Sequence, residues 1–455
     1  MKNVKKLVSL ALILAVVSTA VFAGGGGDKS SGSGSSSGQI ELRVVAYTDL
    51  TAPNAANGIE RIWGTFEKAN PDIKLIREDL YNEAYHEKVA AYAAAGQLPD
   101  VLYAWPAGRS STLHERKLLK DLAPLIKKDG LDKLYNPLVL DGSAQAGGYL
   151  AVLPLTVTSS HAFYINNEVL RANNLQPAKT YAELKAQVAT LKAKGIETVI
   201  MDNQSDWVMQ SCLYSTVLGR FAGADWEKRI LSGQAKFTDP DFVASLEFIK
   251  TIYDDGVINP AISLSAAYGD GIGKFANGQG AYFVDGDWRA AGFITDKSTG
   301  QAVIPPARQP NFQITVFPDI AGAKLNKSTS TTLGTGYGIS AAVPAGSAKE
   351  EAAWRLVKWL VGTEIQTYQL ETGGITAPAV TNIDVSKLPL EPLQVGIVNL
   401  PTQYTTGTAV FDAALDASIA NVVNIGLQEI GLGAKTPARV AQEVQAAYDA
   451  WKAAH

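Results

Sequence analysis

Between Ile40 and Tyr103 the chain repeats one rhythm, and that rhythm limits the fold more than any other feature. Apolar residues alternate at Ile40, Leu42 and Val44, the period-2 pattern of a half-buried strand. From Asn57 to Asn70 the residues Ile59, Ile62, Trp63 and Phe66 share one helical face, and Pro71 stops the run. Ile73, Leu75 and Ile76 predict a second strand, Glu83 to Ala95 a helix ended by Gly96, and Val101-Leu-Tyr a third strand. Strand–helix–strand–helix–strand specifies an α/β layer. Its strands are parallel, because each return passes through a crossover long enough to hold a helix.

After Tyr149-Leu-Ala-Val-Leu-Pro154 the rhythm restarts. His161 to Ile165 reads as a strand, and Thr180-Tyr-Ala-Glu183 is a capping box opening a helix that runs to Lys194 and closes at Gly195. Phe242 to Asp254 and Gly271 to Asn277 read as helices. Ala281 to Val284, Gln313 to Phe317 and Tyr337 to Ala342 read as strands, and from Lys349 the chain is mostly helical. Thr436-Pro437 opens the last helix, with Val440, Val444, Tyr448 and Trp451 as its buried stripe. Residues 40–455 are too many for one core and imply at least two lobes.

The first residues specify a compartment. Lys2, Lys5 and Lys6 precede the apolar run Leu7 to Val17, and small residues lead to Ala20-Val-Phe-Ala23, the tripartite form of a secretory signal peptide. The run is too short to span a bilayer core of roughly 30 Å. A lipid anchor needs a Cys just after it, where Gly24 stands, so the expectation is a soluble exported protein without an anchor. Gly24 to Gly38 is a Gly/Ser tether. The formal net charge of −4 becomes −7 once Lys2, Lys5 and Lys6 leave with residues 1–23. A mildly acidic surface without a basic tract argues against nucleic acid and anionic membrane. The single Cys, Cys212, excludes an internal disulfide.

Motifs for catalysis are sparse. His86, His114, His161 and His455 lie in no metal-ligand spacing, so neither metal nor cofactor is expected. Gly34-Ser-Ser-Ser-Gly38 has the nucleophile-elbow pattern but sits in the tether, and Gly334-Thr-Gly-Tyr-Gly338 leads into a strand rather than a phosphate-binding helix. What remains is aromatic and amide-rich loop chemistry. Trp105 follows a strand, Trp207 closes Asp202-Asn-Gln-Ser-Asp-Trp, and Trp288 closes Asp285-Gly-Asp287-Trp. Loops beyond the carboxyl ends of strands hold the ligands of open α/β sheets. A pyranose offers apolar faces to flat indoles and a rim of hydroxyls to carboxylates and amides. Trp63, Trp354, Trp359 and Trp451 lie on helices and read as core, while a solvated turn is the competing reading of Asp285 and Asp287. A secreted glycoside hydrolase or lyase would need Glu83, Asp285 and Asp287 as acid and base, yet Asp285 and Asp287 are only two positions apart. An adhesive surface protein is a further alternative, against which the lack of repeats counts.

Several stretches in order resemble the extracellular solute-binding proteins of bacterial ABC sugar importers, the family of maltose-binding protein. They are Trp63-Gly-Thr-Phe-Glu-Lys-Ala-Asn-Pro-Asp72, His86-Glu-Lys-Val, Gly96-Gln-Leu-Pro-Asp100, Leu153 to Asn166, Phe275-Ala-Asn-Gly-Gln-Gly-Ala281 and Asp285 to Trp288. Gly336-Tyr-Gly-Ile-Ser-Ala, Ala352 to Leu360 and Asn421 to Thr436 continue the series. The resemblance implies a two-lobed α/β periplasmic-binding-protein fold (type II), with central mixed sheets flanked by helices and a hinge of two to three crossovers. It implies crossings at Leu153 to Ser160, at Asp285 to Trp288 and near Ala341 to Ala345. Lobe one would then hold 40–155 and 289–342, and lobe two 156–288 and 343–455. It further implies a monomer, periplasmic because the Cys of lipid-anchored members is missing, that captures a mono- or oligosaccharide in the interlobe cleft without catalysis and delivers it to ABC permease membrane subunits. The binding residues it implies are Tyr47, Asp49, Asn82, Glu83, Trp105, Ser159, His161, Trp207, Asp285, Asp287, Trp288, Tyr337 and Gly374.

Overall fold

The computed structural model describes residues 38–51, 55–142, 145–297 and 299–454. The expected signal peptide and most of the expected tether lie outside the described residues. In chain order the strands are β1 (Ile40–Tyr47), β2 (Ile73–Leu80), β3 (Val101–Ala104), β4 (Leu153–Pro154), β5 (Val157–Ser159) and β6 (Ala162–Asn166). Then come β7 (Glu197–Ile200), β8 (Gly280–Asp285), β9 (Phe312–Thr315), β10 (Ser328–Leu333), β11 (Gly336–Ile339) and β12 (Thr406–Thr408).

The predicted parallel layer is present. β1 runs parallel to β2 from the Ile40–Ile73 pair to the Tyr47–Leu80 pair, and parallel to β3 through Val44 and Val45. Two antiparallel strands extend it to the order β2-β1-β3-β11-β4. Alternation along β1 sends Leu42, Val44 and Ala46 into a core with Trp63, Phe66 and Trp354, and Val45 into another with Tyr85 and Leu102. A second sheet has the order β7-β8-β6-β9. There Phe163 and Ile165 pack with Leu213, Trp226 and Val444, while Tyr164 on the opposite face packs with Phe275 and Phe293. Each sheet is thus covered on both sides, and each anchors its own body.

The capping box is real: the Thr180 hydroxyl accepts the Glu183 N–H at 3.2 Å, and the Glu183 carboxylate accepts the Thr180 N–H at 3.3 Å. It fixes the entry to the helix Tyr181–Lys192. In the last helix, Pro437–Ala454, Val440, Val444 and Tyr448 are buried as the stripe requires, with Trp451 half-buried beside them.

A small third sheet, β12-β10-β5, lies where the chain passes between the bodies. Its strand β10 reads Ser-Thr-Ser-Thr-Thr-Leu, yet Ser328, Thr329 and Ser330 are fully buried. Hydroxyl pairs make that burial tolerable: Ser330 meets Ser160 at 2.8 Å and Thr216 at 2.9 Å, and Thr329 meets Ser159 at 3.2 Å.

Leu153 to Ser160, one of the expected crossings, joins β4 of the first sheet to β5 of the small third sheet, and β6 of the second sheet follows. The other two differ. After Trp288 the chain stays with the second body, since Phe293 packs there and Phe312–Thr315 pairs with β6 as β9. It returns between Leu333 and Gly336, where β10 gives way to β11. Near the expected third crossing, Ala341 instead donates to the Leu118 carbonyl at 2.8 Å, and the helix Ala348–Leu360 covers the first core. Only between Val380, in that core, and Leu393, in the second body, does the chain cross again. Periodicity identifies a strand but not its partner, so lobe boundaries drawn from segment order miss this interleaving. Among the described residues no helix is long and apolar enough to cross a membrane.

Candidate functional site

The loops that leave the carboxyl ends of β1, β2 and β3 build one aromatic wall. Tyr47 ends β1, Tyr81 follows β2, and Tyr103 and Trp105 lie on and after β3. The Tyr47 ring stacks on Tyr103 at 5.4 Å and meets Trp105 edge-on at 5.1 Å and Tyr81 at 4.9 Å. His86 leans on Trp105 at 4.7 Å. Burial, with the Arg109 charge adding to it and Glu83 opposing, lowers the His86 pKa to about 4, so the ring is neutral at pH 7. Burial also pushes the Tyr47 hydroxyl above its ordinary range, keeping it a neutral donor.

At the rim of this wall, Asp49 accepts from the Thr51 N–H at 2.8 Å and from its hydroxyl at 2.6 Å. Glu83 pairs with Arg109 at 2.9 Å. Asn82, just before the helix Glu83–Ala94, holds φ 54 and ψ −142, a conformation that is strained for a side-chain-bearing residue.

A second wall rises from the other body. Trp207 meets Tyr268 at 4.9 Å and Trp288 at 6.4 Å. The Trp288 indole N–H donates to the Tyr268 hydroxyl at 2.8 Å, and the Arg289 guanidinium carbon sits over the Tyr268 ring, 3.8 Å from its centroid. Asp285 accepts from Arg289 Nε at 2.7 Å and from the Gly286 N–H at 2.7 Å. The Tyr268 loop is pinned by Asp202, whose carboxylate accepts the Gly269 and Gly271 N–H groups, each at 3.0 Å. Arg289 Nη2 is buried without a hydrogen-bond partner among the described residues.

Charged groups of each wall act on groups of the other. Burial raises the Tyr81 hydroxyl pKa, and the charges acting on it include Arg289 and Asp285 of the second wall. Asp206, beside Trp207, is raised by burial and drawn back by Arg109 of the first wall.

Other predicted positions lie apart from the walls. His161 is fully buried: its Nε2 accepts the Phe317 N–H at 2.8 Å, so Nδ1 carries the proton and donates to the Cys212 carbonyl at 2.6 Å. Desolvation lowers its pKa to about 3. Its replacement by leucine strands both backbone groups and is expected to cost about 2–4 kcal/mol, measured as a lower denaturant midpoint. Ser159 donates its N–H to Asp287 Oδ2 at 2.6 Å, so these two fasten the crossing to the strand end after β8. Tyr337 is buried between Trp63 and Tyr103. Gly374 closes the turn after the helix Thr363–Thr372, and its neighbour Gly373, at φ 78, backs onto Ala291. Tyr268 escaped the sequence reading. Its one signal is an aromatic residue set in Ala267-Tyr-Gly-Asp-Gly271, a loop opening a helix.

The same fold recurs in solved proteins. One, of xylan utilization by the thermophilic bacterium Caldanaerobius polysaccharolyticus, is 22% identical, covers 89% of this chain and 99% of that chain, and superposes with a TM-score of 0.77. A chitin oligosaccharide binding protein is 21% identical over 90% of this chain and 98% of that one, with a TM-score of 0.78. In sequence, the sn-glycerol-3-phosphate-binding periplasmic protein UgpB of Salmonella typhimurium is 27% identical over 153 residues, 31% of this chain. The match spans about a third, 34%, of that relative's length. The sequence model of the bacterial extracellular solute-binding proteins matches residues 63–388. With its two-lobed α/β architecture, the chain belongs to the bacterial extracellular solute-binding proteins.

Proposed function

We propose that this protein captures an uncharged saccharide between the two aromatic walls and, by closing around it, presents it to the membrane subunits of an ABC importer outside the cytoplasm. The observation that carries the reading is the pair of aromatic clusters at strand-end loops, Tyr47, Tyr81 and Trp105 on one body and Trp207, Tyr268 and Trp288 on the other. Indole and phenol faces suit the C–H faces of pyranose rings, while Glu83, Asp49, Asn82 and Arg289 offer polar groups to the hydroxyl rim. Ser159, His161, Asp287, Tyr337 and Gly374 act behind the walls, holding the crossings and the core.

Closure follows from differential contact. A ligand touching both bodies binds the closed form more tightly and shifts the equilibrium toward it, whereas a ligand touching one wall shifts nothing. The xylan-related and chitin-oligosaccharide neighbours support a saccharide. The glycerol-phosphate-binding relative raises an anionic alternative, but Asp49, Glu83, Asp206 and Asp285 around the cleft outnumber Arg109 and Arg289. That balance disfavours a phosphate. A binding role also suits the carboxylates: Asp285 is committed to Arg289 and Glu83 to Arg109, rather than being paired across a glycosidic bond.

A melting-shift screen tests the reading. Xylotriose, chitotriose or maltotriose should raise the melting temperature without being cleaved, and sn-glycerol 3-phosphate should not. Product formation, or a shift with the phosphate alone, contradicts it. Tyr47→Ala and Trp288→Ala, one from each wall, should each lose about 1.5–3 kcal/mol of saccharide affinity, roughly ten- to a hundredfold by calorimetry.

A further inference from the structure

One loop of the first body reaches across to the second. Gly108, at φ 48, sits so close to Asp412 that an added Cβ would lie 2.7 Å from the Asp412 carbonyl carbon and 2.8 Å from Ala413 Cα, and nearer still to the carbonyl oxygen. All three neighbours are backbone, so nothing flexible can give way. Asp412 is held in place by Phe411, which is fully buried in the second core. Two backbones from different bodies therefore meet with no side chain between them.

Charge is concentrated at the same contact. Arg109, the next residue, pairs with Glu83 at 2.9 Å and is three-quarters buried. The second body brings Asp412 and Asp206 toward it. Burial raises the pKa of both carboxyls and the Arg109 charge draws both back, while Glu83 adds a like-charge push on Asp206. Asp206 and Asp412 of the second body thus lie within the field of the guanidinium that Glu83 of the first body already contacts. In its absence they would repel.

We propose that Gly108 and Arg109 are positioning residues that latch the two bodies shut, the glycine by admitting direct backbone contact and the arginine by neutralising carboxylates that closure brings together. The inference rests on the closure reading above, but its test requires no ligand.

Small-angle scattering of the purified, ligand-free chain, in which the closure reading has open and closed forms in equilibrium, decides it: loss of the latch shifts that equilibrium toward open, as ligand shifts it toward closed. Arg109→Gln should increase the radius of gyration at about 0.01 M salt and return toward the wild-type value at about 1 M, where screening acts within a few ångströms. Gly108→Ala should be expanded at both salt concentrations, because its obstacle is steric. A melting curve shows whether the alanine variant is folded; if it is not, the salt response of Arg109→Gln decides alone. An Arg109→Gln profile that superposes on wild type at low salt, or a folded Gly108→Ala that does so, overturns the latch. Failure of every saccharide to bind would sink the proposed function and leave this result standing.

Discussion

Gly336→Ala should lower the stability of the chain by at least about 3 kcal/mol, the scale of a forced overpacking. The reason lies in the pairing of β11 with β4, where Gly336 faces Pro154 and Tyr337 faces Leu153. A Cβ on Gly336 would lie 2.6 Å from the Leu153 carbonyl carbon and 2.7 Å from Pro154 Cα, closer still to the Leu153 oxygen. These are backbone atoms of a strand that the neighbouring bond from the Leu155 N–H to the Thr335 carbonyl, at 3.0 Å, also fixes. The alanine can be accommodated only by parting the strands where the chain enters and leaves the first body. Denaturant titration should show a lower midpoint. Gly58→Ala, in the helix Ala55–Ile59 with nothing within 4 Å of the added carbon, should be neutral or stabilising by up to about 1 kcal/mol. Equal midpoints for the two variants would contradict the account of this crossing.

Asp287→Asn should stabilise the protein above neutral pH and leave it unchanged in acid. The Asp287 side chain is 4% exposed, and one oxygen accepts the Ser159 N–H at 2.6 Å. Its other oxygen is buried without a hydrogen-bond partner among the described residues. Tyr164 and Tyr404 lie near enough to feel its charge. Desolvation raises the carboxyl pKa from 3.8 to about 7, only partly offset by the Ser159 hydrogen bond and by the Thr376 hydroxyl and Trp288 N–H close by. The folded state therefore binds the proton more tightly than the unfolded state. Stability falls as pH rises from about 4 to about 7, and the full penalty persists above 7. Removing it should gain on the order of 2–4 kcal/mol at pH 8 and nothing near pH 4. Thermal melts of both proteins across that range check the sign. A constant difference between them would show that Asp287 is not protonated in the folded chain.

Much of the fold was legible because local rules acted alone. Alternation at Ile40, Leu42 and Val44, the Thr180–Glu183 box and Thr436-Pro437 each dictate an element without help from distant residues. Other elements depend on context. The helical turns Trp207–Met209 and Gln210–Tyr214 follow a segment that reads as loop, and their start is fixed by the Asn203 side chain accepting the Met209 N–H at 2.9 Å. Strand β10 is hydrophilic by composition and buried by hydroxyl pairing, which hydropathy cannot express.

The site was legible as chemistry more than as geometry. Trp105, Trp207 and Trp288 all stand on the walls, because an indole on a strand-end loop has few other partners. His161 and Asp287 carry the same residue types as binding groups, and only three-dimensional packing shows that backbone groups and the first crossing occupy them. Tyr268 was invisible for the complementary reason: it gains its place from Asp202, sixty-odd positions away in sequence.

The most direct test of the two-body clasp is small-angle scattering of the purified chain titrated with the neutral trisaccharide that gives the largest melting shift. The radius of gyration should fall as occupancy grows and level off when binding saturates. A saturating ligand that leaves the scattering profile unchanged would contradict it.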